Sequence, residues 1–223
     1  MKIVGLIPYW LDYKVNGAGH RNLKKLGGRY LLNYTLSLLE KLPSLTSTYV
    51  FASSEDVLRY IDPNHKYQFL QRPQTLDSLL SSIEDIIDAF LAQIDADIVV
   101  LIHPNSPFLS SETLQACVDA VVSDVFDSAF TALVLKKLAW FKGEPLNYAM
   151  DRPTPSLASI EPVFVEQSSL YVFDVAMYRK TRKRVGSNPF IKAVDHFEGH
   201  EIVEPEDFAM AELIVNAGMY LET

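Results

Sequence analysis

Two short apolar runs constrain the fold of this chain more than any other feature of its sequence. They lie in IVGLI at residues 3–7 and in DIVVLIHP at residues 97–104. Both are rich in β-branched residues and bounded by turn-forming residues, which is typical of strands buried on both faces. Such strands occur in parallel sheets with helices on each side, so we predict an α/β fold.

Apolar residues between these strands recur with a helical period. The leucines of residues 30–41 and the apolar positions of residues 76–94 predict two helices, the second a long one. We expect Ser111 to cap a third helix after the second strand, with Glu112 in its first turn. Further strands are predicted at residues 48–54, 129–135 and 162–173, and further helices at 175–184 and 205–218. This alternation predicts a three-layer αβα fold with a mostly parallel sheet.

Size and composition suit one domain. The chain has 223 residues, 48% of them hydrophobic, and we expect a single domain over residues 1–223. Its one cysteine, Cys117, lies in the apolar stretch LQACVDAVV and is predicted to be a small core residue, so no disulfide within the chain is expected. No apolar run is long enough to cross a bilayer, and the first residues lack the features of a signal peptide. We therefore expect a cytoplasmic protein without a membrane partner.

Charge is distributed unevenly along the chain. The formal net charge is -8, but residues 1–30 hold six basic residues against one acidic residue, so the remainder carries -13. An acidic protein is a poor general binder of nucleic acid, and no nucleic-acid partner is expected. A cationic segment in an acidic protein suits a small polyanion such as a nucleoside triphosphate, and the alternative is a solvated basic segment.

The loop after the first predicted strand combines glycines with cations. It contains Gly17, Gly19, Arg21 and Lys24, and the pair GG follows at residues 27–28. Glycines let backbone N–H groups approach an anion closely, so the loop is a candidate phosphate site. Its spacing fits neither a P-loop nor a dinucleotide-binding fingerprint. Ligands of open α/β sheets bind beyond the carboxyl ends of the strands, which makes the loops after residues 8 and 102 the first places to look.

Six sequence motifs occur in the order found in a known enzyme family. RNLKKLGGRYLLNYTL resembles the opening motif of the acylneuraminate cytidylyltransferase (CMP-sialic acid synthetase) family. The later motifs that resemble this family are FASSEDV, QRP with DSLLSSIEDII, IVVLIHPNSPFLSSETL, EPVFVEQSSLYVF and HEIVEPEDFAMAE. The similarity covers nearly the whole chain in collinear order.

The resemblance implies a fold, a reaction and a set of site residues. It implies a nucleotide-diphospho-sugar transferase-like (GT-A-like) fold and a nucleotidyltransferase that uses Mg²⁺. In this reaction a hydroxyl of an acidic sugar, such as a sialic-acid-like nonulosonic acid, attacks the α-phosphate of CTP and expels pyrophosphate. The implied catalytic residues are Lys14 and Arg21. The implied nucleotide-binding residues are Pro8, Lys14, Arg21, Asn22, Arg72, Ser81 and Ser82. The implied substrate-binding residues are His103, Asn105 and Gln167.

Three departures from the family pattern bear on its chemistry. Tyr9-Trp10 replaces an Ala-Arg pair, so one phosphate-binding arginine is missing. The two metal-binding aspartates fall on Glu201 and Val203, and valine cannot bind a hard cation, which leaves Glu201 as the candidate metal ligand. An Asn-Gly-Ala motif becomes QSS at residues 167–169. Two alternatives therefore stay open: an enzyme with another nucleotide or acceptor, and a non-catalytic nucleotide- or sugar-binding relative.

The resemblance also implies an oligomeric state. Members of the family form homodimers through a β-rich excursion that closes over the site of the partner. Residues 136–160 occupy the corresponding stretch of this chain. We therefore expect a homodimer formed through residues 136–160.

Overall fold

A seven-stranded sheet forms the centre of the molecule. The computed structural model describes residues 1–11 and 23–219. In chain order its elements are β1 (Ile3–Tyr9), β2 (Lys25–Leu26), β3 (Arg29–Tyr30), α1 (Leu31–Glu40), β4 (Ser47–Ala52), β5 (Gln68–Gln71), α2 (Ile83–Leu91), β6 (Ile98–Ile102), α3 (Ser111–Val122), β7 (Ser128–Leu135), β8 (Trp140–Phe141), β9 (Glu144–Pro145), β10 (Val163–Asp174), α4 (Val175–Thr181), β11 (Pro189–Val194) and α5 (Pro205–Asn216).

The main sheet is parallel except for one strand. Its order is β11-β7-β10-β6-β1-β4-β5, and two small antiparallel pairs, β2 with β3 and β8 with β9, lie outside it. Strand β10 runs antiparallel to both of its neighbours, β6 and β7. The other four pairings are parallel. The predicted α/β fold with a mostly parallel sheet is therefore confirmed.

Side chains of β1 alternate between two cores. Ile3 and Ile7 belong to a core that includes residues of α1 and α3. Val4 and Leu6 face the other way, into a core with residues of α2 and α4. This period of two buries both faces of the strand, as its continuous apolar sequence predicts. In a third, smaller core, α5 packs against β2 and α1.

The predicted helix over residues 76–94 is too long at its start. Helix α2 begins at Ile83, because the Ser82 hydroxyl accepts a hydrogen bond from Asp85 N and the Asp85 carboxylate accepts one from Ser82 N. This capping box fixes the helix start and separates it from the residues before it. Leu79 and Leu80, which belong to the apolar pattern, are 70% and 96% exposed. The apolar pattern extends to residues before Ile83, but side-chain hydrogen bonds determine where the helix begins.

Other boundaries differ by small amounts. Ser110, and not Ser111, caps α3, because its hydroxyl accepts a hydrogen bond from Thr113 N. Helix α4 ends at Thr181, where Arg182 adopts a left-handed conformation with φ 54°. The expectation for Cys117 is confirmed: it is fully buried, and burial raises the pKa of its thiol to about 12. Strands β5 and β11 lie at the two edges of the sheet, and the sequence did not predict either. Among residues 1–11 and 23–219, no helix is long and apolar enough to span a bilayer.

Candidate active site

A cleft opens at the carboxyl edge of the parallel strands. Its volume is about 310 Å³. Its lining residues are Pro8, Trp10, Arg72, Leu76, Ser78, Leu79, Ser81, Ile86, His103, Pro104, Asn105 and Ser168. Pro8 lies near the end of β1, Arg72 directly follows β5, and His103 directly follows β6. The cleft therefore lies at the edge where open α/β sheets bind ligands.

The cleft brings together five of the residues that the sequence nominated. Pro8, Arg72 and Ser81 come from the predicted nucleotide set, and His103 and Asn105 come from the predicted substrate set. These residues are far apart in sequence, and their convergence depends on strands β1, β5 and β6 ending at one edge. Lys14, Arg21 and Asn22, also nominated, lie outside the described residues.

Two nominated residues have other surroundings. The Ser82 hydroxyl caps α2 and is not part of the described lining of the cleft. Gln167 is 5% exposed, and its amide nitrogen donates to the carbonyl oxygen of Val165 at 3.3 Å. Its neighbour Ser168 lines the cleft instead.

An irregularity in β10 explains why Ser168 reaches the cleft. Glu166 pairs with Ala132 and Tyr171 pairs with Phe130, so the register between β10 and β7 shifts within this stretch. Bulges of this kind redirect side chains and are frequent next to active sites. The backbone is held there, because His103 N donates to Ser169 O at 2.9 Å.

Glu201 is connected to the cleft through Ser168. The Ser168 hydroxyl donates to Glu201 Oε1 at 2.7 Å. One residue further on, Ile202 N donates to Asn105 O at 2.8 Å, which fixes this segment against the loop after β6. Val203 is 41% exposed, and its N–H donates to Asp207 Oδ2 at 2.9 Å. Only Glu201 of the two metal positions therefore offers a carboxylate next to the cleft.

Arg72 is a buried charge with a defined partner. It is 2% exposed, and its Nη2 group donates to Asp77 Oδ1. Asp77 Oδ2 accepts a further hydrogen bond from the Ser53 hydroxyl. Removal of one partner from a buried ion pair typically costs about 3–5 kcal/mol, so this pair also holds the loop between β5 and α2.

Two side-chain atoms at the cleft are buried without a hydrogen-bond partner in the described part of the chain. They are Arg72 Nε, a donor, and Asn105 Oδ1, an acceptor. Buried polar groups in proteins nearly always have a partner, and each exception requires an explanation. A ligand that offers both an acceptor and a donor would satisfy these two atoms.

Tyr9 and Trp10, which stand where the family has Ala-Arg, lie in different surroundings from each other. Tyr9 is 1% exposed and belongs to the core, where burial raises the pKa of its hydroxyl and keeps it neutral. Trp10 lines the cleft together with the apolar side chains Leu76, Leu79 and Ile86. Aromatic rings offer flat apolar surfaces on which nucleobases and sugar rings stack.

Arg72 is the one permanently charged side chain in the described lining. A triphosphate requires several cations, which this part of the cleft does not supply. The described cleft is therefore better suited to a nucleoside or a sugar. The sequence places Lys14 four residues and Arg21 eleven residues after Trp10.

Sequence reasoning missed several residues of this site, among them Asp77, Ser53 and Ser168. Asp77 and Ser53 were not nominated, although Asp77 lies five residues after Arg72 in QRPQTLD and a carboxylate near a nominated arginine is a signal for an ion pair. Ser168 was noted as a departure and not as a lining residue. No sequence signal indicates the register shift in β10 that brings it to the cleft.

The fit of a metal ion depends on the oxygen ligands available. Among residues 1–11 and 23–219, no group of three or more His, Cys, Asp or Glu side chains could hold an ion. Mg²⁺ retains several waters and usually binds one or two carboxylates together with substrate phosphates. Glu201 alone therefore fits a magnesium ion that is shared with a triphosphate, but not an ion held by the protein alone.

Comparison with known proteins identifies similar sequences and folds. A sequence model described as cytidylyltransferase matches residues 19–211. The fold is similar to that of a CMP:2-keto-3-deoxy-manno-octonic acid synthetase complexed with CTP, with TM-score 0.69, 12% identity, and coverage of 98% of this chain and 100% of the other.

A second solved structure has the same fold. It is a 4-diphosphocytidyl-2C-methyl-D-erythritol synthase from Anaerococcus prevotii, with TM-score 0.63, 17% identity, and coverage of 96% of each chain. Comparison with curated protein sequences gives no match. At these identities the solved structures show a shared fold, which agrees with the predicted α/β fold with a mostly parallel sheet.

Proposed function

The chain belongs to the cytidylyltransferase family, and from this premise we propose that it transfers CMP from CTP to an acidic sugar and releases pyrophosphate. One observation carries the proposal: Pro8, Arg72, Ser81, His103 and Asn105 converge on one cleft at the carboxyl edge of the sheet. The family supports the reaction type, and the position and lining of the cleft support it as the site.

The nucleoside of CTP is proposed to bind between the apolar and polar walls of the cleft. Trp10, Leu76 and Leu79 form the apolar wall, which excludes water from a flat ring. Arg72 provides hydrogen-bond donors at the same site, and its Nε lacks a partner within the described chain. Lys14 and Arg21 are proposed to hold the triphosphate, as the family resemblance implies.

The acceptor is proposed to be an acidic sugar such as a nonulosonic acid. His103, Asn105 and Ser168 give the cleft a polar wall suited to sugar hydroxyls, and a cytidylyltransferase with a similar fold is named for a 2-keto-3-deoxy sugar acid. The acceptor hydroxyl oxygen forms a bond to the α-phosphorus of CTP as the bond to the bridging oxygen of pyrophosphate breaks. Negative charge builds up on the phosphates, and cations and backbone N–H groups stabilise it.

Mg²⁺ is proposed as the cofactor, with Glu201 as its protein ligand. A bound magnesium ion would neutralise charge on the triphosphate and on the departing pyrophosphate. The Ser168 hydroxyl orients the Glu201 carboxylate through a bond of 2.7 Å. Outer-shell hydrogen bonds of this kind fix the direction of a ligand and support metal affinity.

Pyrophosphate release tests the function directly. The protein is incubated with Mg²⁺, a panel of nonulosonic and related sugar acids, and in turn CTP, UTP, GTP or ATP. We expect pyrophosphate only with CTP and an acidic acceptor, and loss of most activity on removal of Mg²⁺ or in Glu201→Gln. Pyrophosphate release with another nucleotide would show that the enzyme uses a base other than cytosine. No release with any combination would refute the enzymatic function. CTP binding without turnover would favour a non-catalytic relative.

A homodimer formed through residues 136–160 is part of the proposal. Leu138, Trp140, Phe141 and Leu146 in this segment are each more than 40% exposed. Exposed apolar side chains grouped along one segment are typical of an interaction surface. A second copy of the chain is the proposed partner.

A further inference from the structure

Arg72 has more hydrogen-bonding capacity than its surroundings use. A guanidinium carries five N–H donors. The described residues accept from one of them, through Asp77 Oδ1, and the Nε group is buried without an acceptor. A donor that is taken from water and given no acceptor is costly, and a bound molecule with an oxygen acceptor removes that cost. Arg72 can therefore donate hydrogen bonds to a ligand as well as to Asp77.

The direction of the Arg72 side chain is fixed from two sides. Its backbone N–H donates to Ala52 O at 2.8 Å, which anchors the residue beside the end of β4. Its guanidinium donates to one carboxylate oxygen of Asp77, while the other oxygen accepts from the Ser53 hydroxyl. A guanidinium is planar, so a fixed Nη2 together with a fixed backbone determines where its other N–H groups point.

We propose that Asp77, supported by Ser53, is a positioning residue that orients Arg72 toward an oxygen acceptor of the bound nucleotide. This rests on the proposed nucleotide site. Asp77 is not a catalytic residue, because it acts through Arg72. Its carboxylate also lowers the local positive charge, so by charge alone its removal would strengthen binding of a polyanion. Loss of the positioning role predicts weaker binding of the nucleotide, so the two effects can be separated.

Steady-state kinetics and calorimetry with CTP test the proposal in a series of variants. Asp77→Ala is expected to raise the KM and Kd for CTP about tenfold, with kcat at saturating CTP within about twofold of the original. Asp77→Asn retains an oxygen acceptor and is expected to restore most of the affinity. Ser53→Ala keeps the ion pair but removes the hydrogen bond to the other Asp77 carboxylate oxygen, so an intermediate KM for CTP is expected. Asp56→Ala is the control, because Asp56 pairs with Arg59 on the surface at 3.1 Å.

A double variant shows whether Asp77 acts through Arg72. If it does, Arg72→Lys with Asp77→Ala has the same KM for CTP as Arg72→Lys alone. Additive effects would overturn the proposal. So would an unchanged or lower Kd for CTP in both Asp77→Ala and Ser53→Ala, since a purely structural ion pair changes the folded fraction and not the affinity. Should Asp77→Ala not fold, Ser53→Ala and Asp77→Asn carry the test.

The same series separates this proposal from the proposed function. If the original protein binds no nucleotide, the proposed function fails. If it binds CTP and every Asp77 and Ser53 variant binds equally well, only the positioning role fails.

Discussion

Within the described residues, Arg72 and Asn105 each bring a buried, unpartnered polar atom to the candidate site. Both are more than 90% buried, and each keeps one polar atom without a partner in the described structure. Burial without a partner lowers the stability of the unliganded protein. A ligand with matching groups would form the missing hydrogen bonds, so its binding would offset this cost.

Trp10 provides a spectroscopic test at the scale of one residue. The chain has two tryptophans, and the other, Trp140, is 55% exposed on the β8–β9 hairpin. In Trp140→Phe, titration with CTP is expected to quench the remaining emission, because a base stacks close to the indole. Trp10→Phe should show no such quenching while still binding CTP. Emission from Trp140→Phe that stays constant while calorimetry detects binding would place the base elsewhere.

The sequence predicted some residues of the cleft and missed others for a physical reason. Arg72 could be nominated because QRP resembles a family motif, and His103 because it directly follows a predicted strand within another such motif. Asp77 was missed although it lies five residues after Arg72, because its role depends on which side chains the tertiary fold brings together. Ser168 could not be nominated, because its direction depends on the register shift between β10 and β7.

At the scale of elements, the interior of the sheet was predictable and its edges were not. Strands β1 and β6 are paired on both sides and are continuously apolar. Edge strands β5 and β11 pair on one side only, so they can be short, polar or begin with proline. The sequences QFLQ and PFIKAV give correspondingly weak signals.

The start of β11 depends on a close contact that a methyl group would disturb. A Cβ on Gly186 would lie 2.4 Å from side-chain atoms of Asp127, whose carboxylate accepts from the backbone N–H groups of Ser187 and Asn188 at 2.9 and 3.0 Å. Gly186→Ala is therefore expected to lower the free energy of unfolding by about 1–3 kcal/mol, measured by denaturant titration. In an Asp127→Ala background the same substitution should cost much less. Equal costs in both backgrounds would contradict this contact.

Asp127 also links the stability of this region to pH. Burial raises the pKa of its carboxyl, but hydrogen bonds from Ser128, Asn188 and Ser187 outweigh burial, and the net shift is downward. A carboxyl whose folded pKa is lowered stabilises the protein at neutral pH. That contribution is lost as the pH falls through the folded-state pKa.

At the scale of the whole molecule, the β8–β9 hairpin is expected to determine the oligomeric state. Trp140 and Phe141 are 55% and 60% exposed, and their burial against a second copy would be favourable. Light scattering after size exclusion is expected to give the mass of a dimer, and Trp140→Ser with Phe141→Ser to give a monomer. Leu58→Ser, at a residue 37% exposed outside this segment, is the control. A monomeric original protein, or a dimer unaffected by the double substitution, would contradict the interface.

The reaction itself is tested most directly by following the α-phosphate of CTP. The protein is supplied with CTP labelled at the α-phosphorus, Mg²⁺ and an acidic 2-keto-3-deoxy sugar, and the products are separated by chromatography. The label is expected to move into a CMP-sugar in amounts equal to the pyrophosphate released. Label that stays in CTP with every acidic sugar, or that appears only as free CMP, would refute the proposed transfer of CMP.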